Sequence, residues 1–140
     1  MTDRGRFSWL DDGRARTSST HVANLCHALE QALTGGRRGS AYFVLDDGVR
    51  TLREFLTDYA ATAGIELPDK SMPGGLARGL AALVEPVWRT MRLKSAPPIT
   101  RFAAAIMSRD CVLRDDLARN ELGYTPVISV EEGLRELRRK

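Results

Sequence analysis

Cysteine and histidine are scarce, with two of each in the chain: Cys26, Cys111, His21 and His27. The cysteines stand too far apart to read as a metal motif. Both sit in apolar stretches, so they are expected to be buried free thiols of a reducing cytoplasm. The histidines are six residues apart, whereas two imidazoles that share an ion on one helix need i, i+4, so no metal site is expected. No apolar run reaches the roughly 18 residues of a membrane span, and no signal-peptide pattern precedes Phe7. A cytoplasmic protein without a span is the expectation. There is no Gly-x-Ser-x-Gly elbow, which removes support for a serine hydrolase. Internal repeats and low-complexity segments are absent as well.

The rest of the composition is that of one ordinary globular domain, with 140 residues, 43% hydrophobic and 28% charged. The net charge of +3 is a small excess. Arg135, Arg138, Arg139 and Lys140 form a basic tail without interleaved aromatics, so it reads as favourable charge at a helix C-terminus and no nucleic-acid partner is expected. Thr34-Gly-Gly-Arg-Arg-Gly39 is glycine-rich, but it follows a helix and precedes a strand. A phosphate loop has the opposite order, so that amides at a helix start meet the anion. The run is read as a helix end and loop. The pairs Asp11-Asp12, Asp46-Asp47 and Asp115-Asp116 are read as turn and cap residues.

Periodicity supplies the elements. Val22, Leu25, Cys26, Leu29, Ala32 and Leu33 share one face of a helix that Gly35-Gly36 ends. Tyr42–Leu45 is continuously apolar and reads as a strand buried on both faces. Thr51-Leu-Arg-Glu54 is a capping box opening a helix with Leu52, Phe55, Leu56, Tyr59, Ala60 and Ala63 on one side, stopped at Gly64. A third helix places Leu76, Leu80, Leu83, Val84, Val87, Trp88 and Met91 together, with Pro86 expected to kink or split it. Pro97-Pro98 breaks the chain, and Thr100 caps a short helix through Phe102, Ile106 and Met107. Cys111–Leu113 reads as a short strand and Asp115–Leu122 as a helix closed by Gly123. Ser129-Val-Glu-Glu132 is a second capping box, opening a last helix with Val130, Leu134 and Leu137 inward. One or two strands do not make a stable free-standing sheet, so the Tyr42–Leu45 strand calls for neighbours that the chain barely supplies.

Three segments, in order, resemble one family. Phe7-Ser-Trp-Leu-Asp-Asp-Gly13 leads into Ser19-Thr-His-Val-Ala-Asn24; Ala41-Tyr-Phe-Val-Leu-Asp-Asp47 leads into Thr51-Leu-Arg-Glu-Phe55; Leu122-Gly-Tyr-Thr-Pro126 leads into Ser129-Val-Glu-Glu-Gly-Leu134. Together they are similar to the C-terminal portion of the extended short-chain dehydrogenases/reductases, the NAD(P)-dependent epimerase/dehydratase group. The resemblance implies an α/β fold of Rossmann type, of which residues 1–140 would be the substrate-side part, mostly helical with a few short strands. The N-terminal NAD(P)-binding domain is expected to be absent from this chain. A complete member binds NAD or NADP and acts on an alcohol or ketone carbon of a small-molecule substrate. Neither cofactor is expected to bind tightly to these residues alone.

The family's two diagnostic motifs do not occur. There is no Gly-x-x-Gly-x-x-Gly, and the residues four after Tyr42, Tyr59 and Tyr124 are Asp46, Ala63 and Ile128, where a lysine would complete Tyr-x-x-x-Lys. No catalytic or cofactor-binding residue is therefore assigned, and the chain alone is expected to be inactive. By resemblance Ser19, Thr20, His21 and Asn24 lie near the substrate cleft and are the candidate substrate-binding residues. Nucleotide-sugar enzymes often carry an arginine four residues before this histidine, to hold the diphosphate; Thr17 stands there, with Arg14 and Arg16 only nearby. That departure favours the hydroxysteroid-dehydrogenase-like branch. An alternative is a non-catalytic helical module of the same descent, whose partner chain supplies the sheet. An exposed strand edge at Tyr42–Leu45 would promote self-association.

Overall fold

A computed structural model describes residues 7–90 and 100–138. Its strands are two residues long: β1 (Trp9–Leu10), β2 (Arg16–Thr17), β3 (Arg50–Thr51) and β4 (Ser71–Met72). Its helices are α1 (Val22–Ala32), α2 (Leu52–Thr62), α3 (Gly74–Thr90), α4 (Arg101–Met107), α5 (Asp116–Leu122) and α6 (Val130–Arg138). β1 runs parallel to β4 with Trp9 opposite Ser71, and β2 antiparallel to β3 with Arg16 opposite Thr51. The mostly helical, strand-poor outline agrees with the sequence.

The expected strand at Tyr42–Leu45 belongs to neither ladder. Side chains take two of its carbonyls instead: the Thr20 hydroxyl donates to Val44 O at 2.6 Å and the Tyr124 hydroxyl to Leu45 O at 2.8 Å. A ladder needs a neighbouring backbone, and none of the described residues brings one alongside. Cys111–Leu113 is reduced likewise to a single bridge between Thr17 and Cys111.

Local signals held where they rest on backbone chemistry. Thr51 and Glu54 close a reciprocal capping box, the Thr51 hydroxyl accepting from the Glu54 amide and the Glu54 carboxylate from the Thr51 amide. Ser129 and Glu132 repeat the pattern ahead of α6. These hydrogen bonds hold both glutamates below the usual carboxylate range, the backbone amide contributing most. The Thr100 hydroxyl accepts from the Ala103 amide at 3.0 Å. Gly64 and Gly123 end α2 and α5 with φ of +67° and +70°. Pro86 does not divide α3, which runs through it. The proline is on an exposed position. The Pro97-Pro98 break lies outside the described residues.

Near the start, Asp11, Asp12 and Gly13 all take positive φ, at 46°, 59° and 68°. The aspartates are strained there, and their hydrogen bonds offset it. Asp11 Oδ1 accepts from the Gly74 amide at the head of α3, and the Asp12 amide donates to Ser71 Oγ. Gly13 is obligatory for a second reason, since a Cβ there would lie 2.7 Å from Trp9 Cε3. Trp9 is buried, its indole N–H donating to Pro68 O at 3.0 Å and Arg53 lying over its ring at 5.0 Å.

Which helix face turns inward is where periodicity misled. On α1 the buried residues are Asn24 and Ala28, while Leu29 and Leu33 are 59% and 84% exposed. Both cysteines are exposed as well, contrary to expectation, Cys26 because it lies on that uncovered stripe. On α3 the inward residues are Ala77 and Ala81, and Leu76, Leu80 and Leu83 are exposed. The reason is the neighbour: Ala77 and Ala81 meet Ala104 of α4 beside Leu10, with Met72 and Met107 closing the edges. Small side chains on both helices let their backbones approach closely, which bulky leucines would prevent. A second cluster joins Ala28 of α1, Ala118 of α5 and Tyr124, with Tyr42, Val44 and Leu122 around it. On α6 Val130 is buried, but Leu137 is largely exposed.

The alanine seam makes a sharp prediction. Ala81→Leu overpacks it and is expected to cost about 1–3 kcal/mol in urea unfolding. Leu80→Ala, one residue away on the outer stripe, is expected to change stability by no more than about 0.5 kcal/mol. Equal costs for the two substitutions would contradict the inward face assigned to α3.

Candidate functional site

The four residues singled out from the sequence lie at the junction between β2 and α1, and the structure gathers three of them, Ser19, His21 and Asn24, around one carboxylate. Asp46 is buried and follows the apolar run that failed to become a strand. Its amide donates to Ser19 O at 2.9 Å. Its carboxylate accepts from the Ser19 hydroxyl at 2.8 Å, the His21 amide at 2.7 Å and the Asn24 side-chain amide at 2.7 Å. Thr20 is exposed and its hydroxyl goes to Val44 O. His21 begins α1 as its N-cap: Nδ1 accepts from the Ala23 amide at 3.2 Å, so the proton of the neutral ring sits on Nε2.

Asn24 is committed inward. It is fully buried, and its side chain makes four hydrogen bonds. Nδ2 donates to Asp46 and to Ile128 O, and Oδ1 accepts from the Val127 and Ile128 amides at 2.8 and 3.0 Å. That uses the whole capacity of a carboxamide, leaving none for a ligand. Asn24 thus joins the segment after β2, the end of the 41–46 run and the stretch before α6.

Two further residues of the junction escaped the sequence reading. Tyr124, fully buried, ties its hydroxyl to Leu45 O. Burial, then the nearby Asp46 and Asp115 carboxylates, push that phenol up to about 12. Gly133 lets α6 lie on His21, for a Cβ there would fall 2.7 Å from His21 Cδ2. The signal was present for both, since each belongs to the third resembling segment, but nothing in one segment says which other it touches. Arg119 spans the same region, donating to Asp115 and Asp47 at 2.8 Å, and these two carboxylates raise its pKa further above the ordinary guanidinium value.

A cleft of about 410 Å³ opens beside the junction, bordered by Ala23, Val127, Ile128, Glu132, Arg135 and Glu136. The arginines near the position of a diphosphate-binding arginine are occupied elsewhere. Arg16 holds Asp110 through its amide and guanidinium at 2.7–2.8 Å, and Arg14 pairs with Asp12. The Thr34–Gly39 turn follows α1 and opens no helix, so it is not a strand-to-helix phosphate loop. No group of three or more metal-ligating side chains occurs among the described residues. The hydrogen bonds of the junction hold its three segments together.

Two measurements probe it. Asn24→Ala leaves two amides and a carbonyl without their partner and removes one of two donors from Asp46 Oδ1, and is expected to cost about 3 kcal/mol or more in denaturant unfolding. A loss under about 1 kcal/mol would show that water replaces the side chain. Tyr124 titrates near 12 when folded and near 10 when unfolded, so its contribution to stability is intact below pH 10 and lost as pH rises toward 12. Ultraviolet titration is expected to show one of the three tyrosines ionising late, and Tyr124→Phe to remove that step and flatten the alkaline loss.

No family model matches the chain. Curated relatives do. The 4-hydroxy-2-methyl-3-oxo-4-farnesyl-3,4-dihydroquinoline-1-oxide ketoreductase of Stigmatella aurantiaca is 39% identical over 133 residues, covering 95% of this chain and 40% of its own length. A 2-alkyl-3-oxoalkanoate reductase of Stenotrophomonas maltophilia is 33% identical, covering 96% of this chain and 42% of its own. The sterol-4-alpha-carboxylate 3-dehydrogenase (decarboxylating) of Dictyostelium discoideum is 25% identical over 98% of this chain and 42% of its own. The chain thus spans about two fifths of the length of these relatives. The crystal structure of gox2253 shares the fold, with a TM-score of 0.60 at 21% identity over 86% of this chain and 36% of that one. Across nearly all of its residues the chain is similar to extended short-chain dehydrogenases/reductases of the 3-beta-hydroxysteroid-dehydrogenase-like kind, and its mostly helical fold matches the C-terminal part of that family's fold.

Proposed function

We propose that residues 1–140 are the substrate-side portion of an NAD(P)-dependent oxidoreductase that interconverts a ketone and a secondary alcohol on a molecule with a large apolar skeleton. The carrying observation is the uncovered stripe of α1. Val22, Leu25, Leu29 and Leu33 are exposed, and the 42–45 run, part of which packs with Ala28 on the other face of α1, has the composition of an inner strand and no ladder. Both features are supplied with partners if further polypeptide, bearing the cofactor and the Tyr-x-x-x-Lys pair, packs here. The length of the relatives supports this reading, and so do their names, which combine a reductase or dehydrogenase with farnesyl, alkyl or sterol skeletons.

In this reading the nicotinamide, when bound, supplies or accepts hydride, and the described residues have a different task. Ser19, Thr20 and His21 present the junction to the substrate, with Thr20 the most accessible. Asn24 acts as a positioning residue, fixing that loop against the stretch before α6. The internal pairing of Arg14 and Arg16 supports an uncharged or carboxylated ketone over a nucleotide sugar.

The test starts with the DNA upstream of the Met1 codon. Roughly 100–200 codons, one domain's worth, are expected to encode both a Gly-x-x-Gly-x-x-Gly and a Tyr-x-x-x-Lys. That segment joined to residues 1–140 is expected to oxidise NADH or NADPH in the presence of a 2-alkyl-3-oxoalkanoate. The 140 residues alone are expected to be inactive, and Leu25→Asp with Leu29→Asp to abolish turnover by the joined protein. Absence of both motifs, or turnover by the 140 residues alone, defeats the reading.

A further inference from the structure

The segment after α4 leaves an open strand edge whose sequence is complementary to itself. Residues 110–113 run alongside β2. The Cys111 amide donates to Arg16 O at 2.8 Å, the Leu113 amide donates to Ser18 Oγ at 3.1 Å, and Thr17 forms a parallel bridge with Cys111. β3 takes the other side of β2, so 110–113 is the outer segment of the three. In an extended chain alternate residues bond to opposite sides. With Cys111 and Leu113 bonded inward, the backbone groups of Asp110, Val112 and Arg114 face away from β2. None of these has a hydrogen-bond partner among the described residues. Cys111 is exposed, and Val112 and Leu113 are each 39% exposed.

Such an edge pairs with another strand unless a proline or unfavourable charge opposes it. No proline stands here, and the charges select one partner. The sequence is Arg109-Asp-Cys-Val-Leu-Arg-Asp115. Laid antiparallel against a second copy about Val112, Asp110 stands opposite Arg114 and Arg109 opposite Asp115, so every charged pair is of opposite sign. Two-fold symmetry makes each of these pairs twice. Val112 stands opposite Val112 of the second copy and, as an outward residue, forms the pair that exchanges both N–H···O bonds. A parallel pairing in register would set like charges side by side. Arg114 can reach across, because its side chain is 84% exposed and its bond to Asp116 uses Nε alone. From this pattern we infer that two copies of the chain associate through residues 110–114, paired antiparallel about a two-fold axis at Val112. This does not rest on the oxidoreductase reading and needs neither substrate nor cofactor.

The test is sedimentation equilibrium of the full chain. A dimer that grows with concentration is expected, weak because the pairing is short. Val112→Pro is expected to leave a monomer with an unchanged circular dichroism spectrum, since the amide it removes bonds nothing within the described residues. Arg114→Glu sets like charges opposite each other at both ends and is expected to weaken the dimer about tenfold or more. Oxidation in a chain carrying Cys26→Ser and Cys111→Ser reads the register. There Val112→Cys is expected to cross-link, its Cα lying roughly 5.5 Å from that of the second copy, within the span of a disulfide. Arg109→Cys, roughly 20 Å from its counterpart along the strands, is expected not to. The inference is overturned by a chain that stays monomeric up to roughly 1 mM, by a dimer that survives Val112→Pro, or by equal cross-linking at the two cysteine positions. A dimer dissolved by Leu25→Asp with Leu29→Asp instead would place the contact on α1 and overturn it too.

Discussion

The carboxamide of Asn24 holds the chain together. A buried polar group unmatched by a hydrogen bond is costly, and a buried backbone amide or carbonyl is costly in the same way. At the meeting point of α1, the 41–46 run and the stretch before α6, several such groups are brought out of water at once. Asn24 resolves them with two donors and two acceptor sites, to Asp46, Val127 and Ile128. Neither leucine nor aspartate could do this: leucine would leave the Val127 and Ile128 amides and the Ile128 carbonyl unmatched, and aspartate would set a second carboxylate against Asp46 and the Ile128 carbonyl. Asp46 serves the same end from the other side, accepting from Ser19, His21 and Asn24. Once these two are in place, Tyr124 can seal Leu45 and Gly133 can lie on His21.

This explains what could be read from the sequence. Capping boxes, helix-ending glycines and the Thr100 cap rest on contacts within four residues, and Thr51, Ser129, Thr100, Gly64 and Gly123 all do what their neighbours dictate. The inward face of a helix is decided by what lies across from it. On α1 the leucine stripe was chosen by periodicity, but the described structure turns Asn24 and Ala28 inward, because the groups that Asn24 must satisfy lie about 100 residues away at Val127 and Ile128. On α3 the alanines won because α4 offers Ala104. The junction residues were found by resemblance, not by pattern, and their mutual hydrogen bonds were invisible because Asp46 looked like any aspartate in a turn.

The two errors of face have one cause. Hydrophobic periodicity shows where apolar area is, not what covers it, and burial of that area is the main favourable term in folding. A chain that leaves Leu29, Leu33, Leu76 and Leu83 in water while burying alanines has not met the requirement of its own pattern within the described residues. The pattern is therefore information about surfaces beyond them.

The sizes along α3 show the same division: alanine faces α4, where close approach is needed, and leucine lies on the side that the described residues leave uncovered. On α1 the small residue again faces a neighbour, Ala28 meeting Ala118 and Tyr124, while Leu29 and Leu33 stay exposed. In both helices close approach of backbones decides the inward face, and the larger apolar side chains are left to the other side.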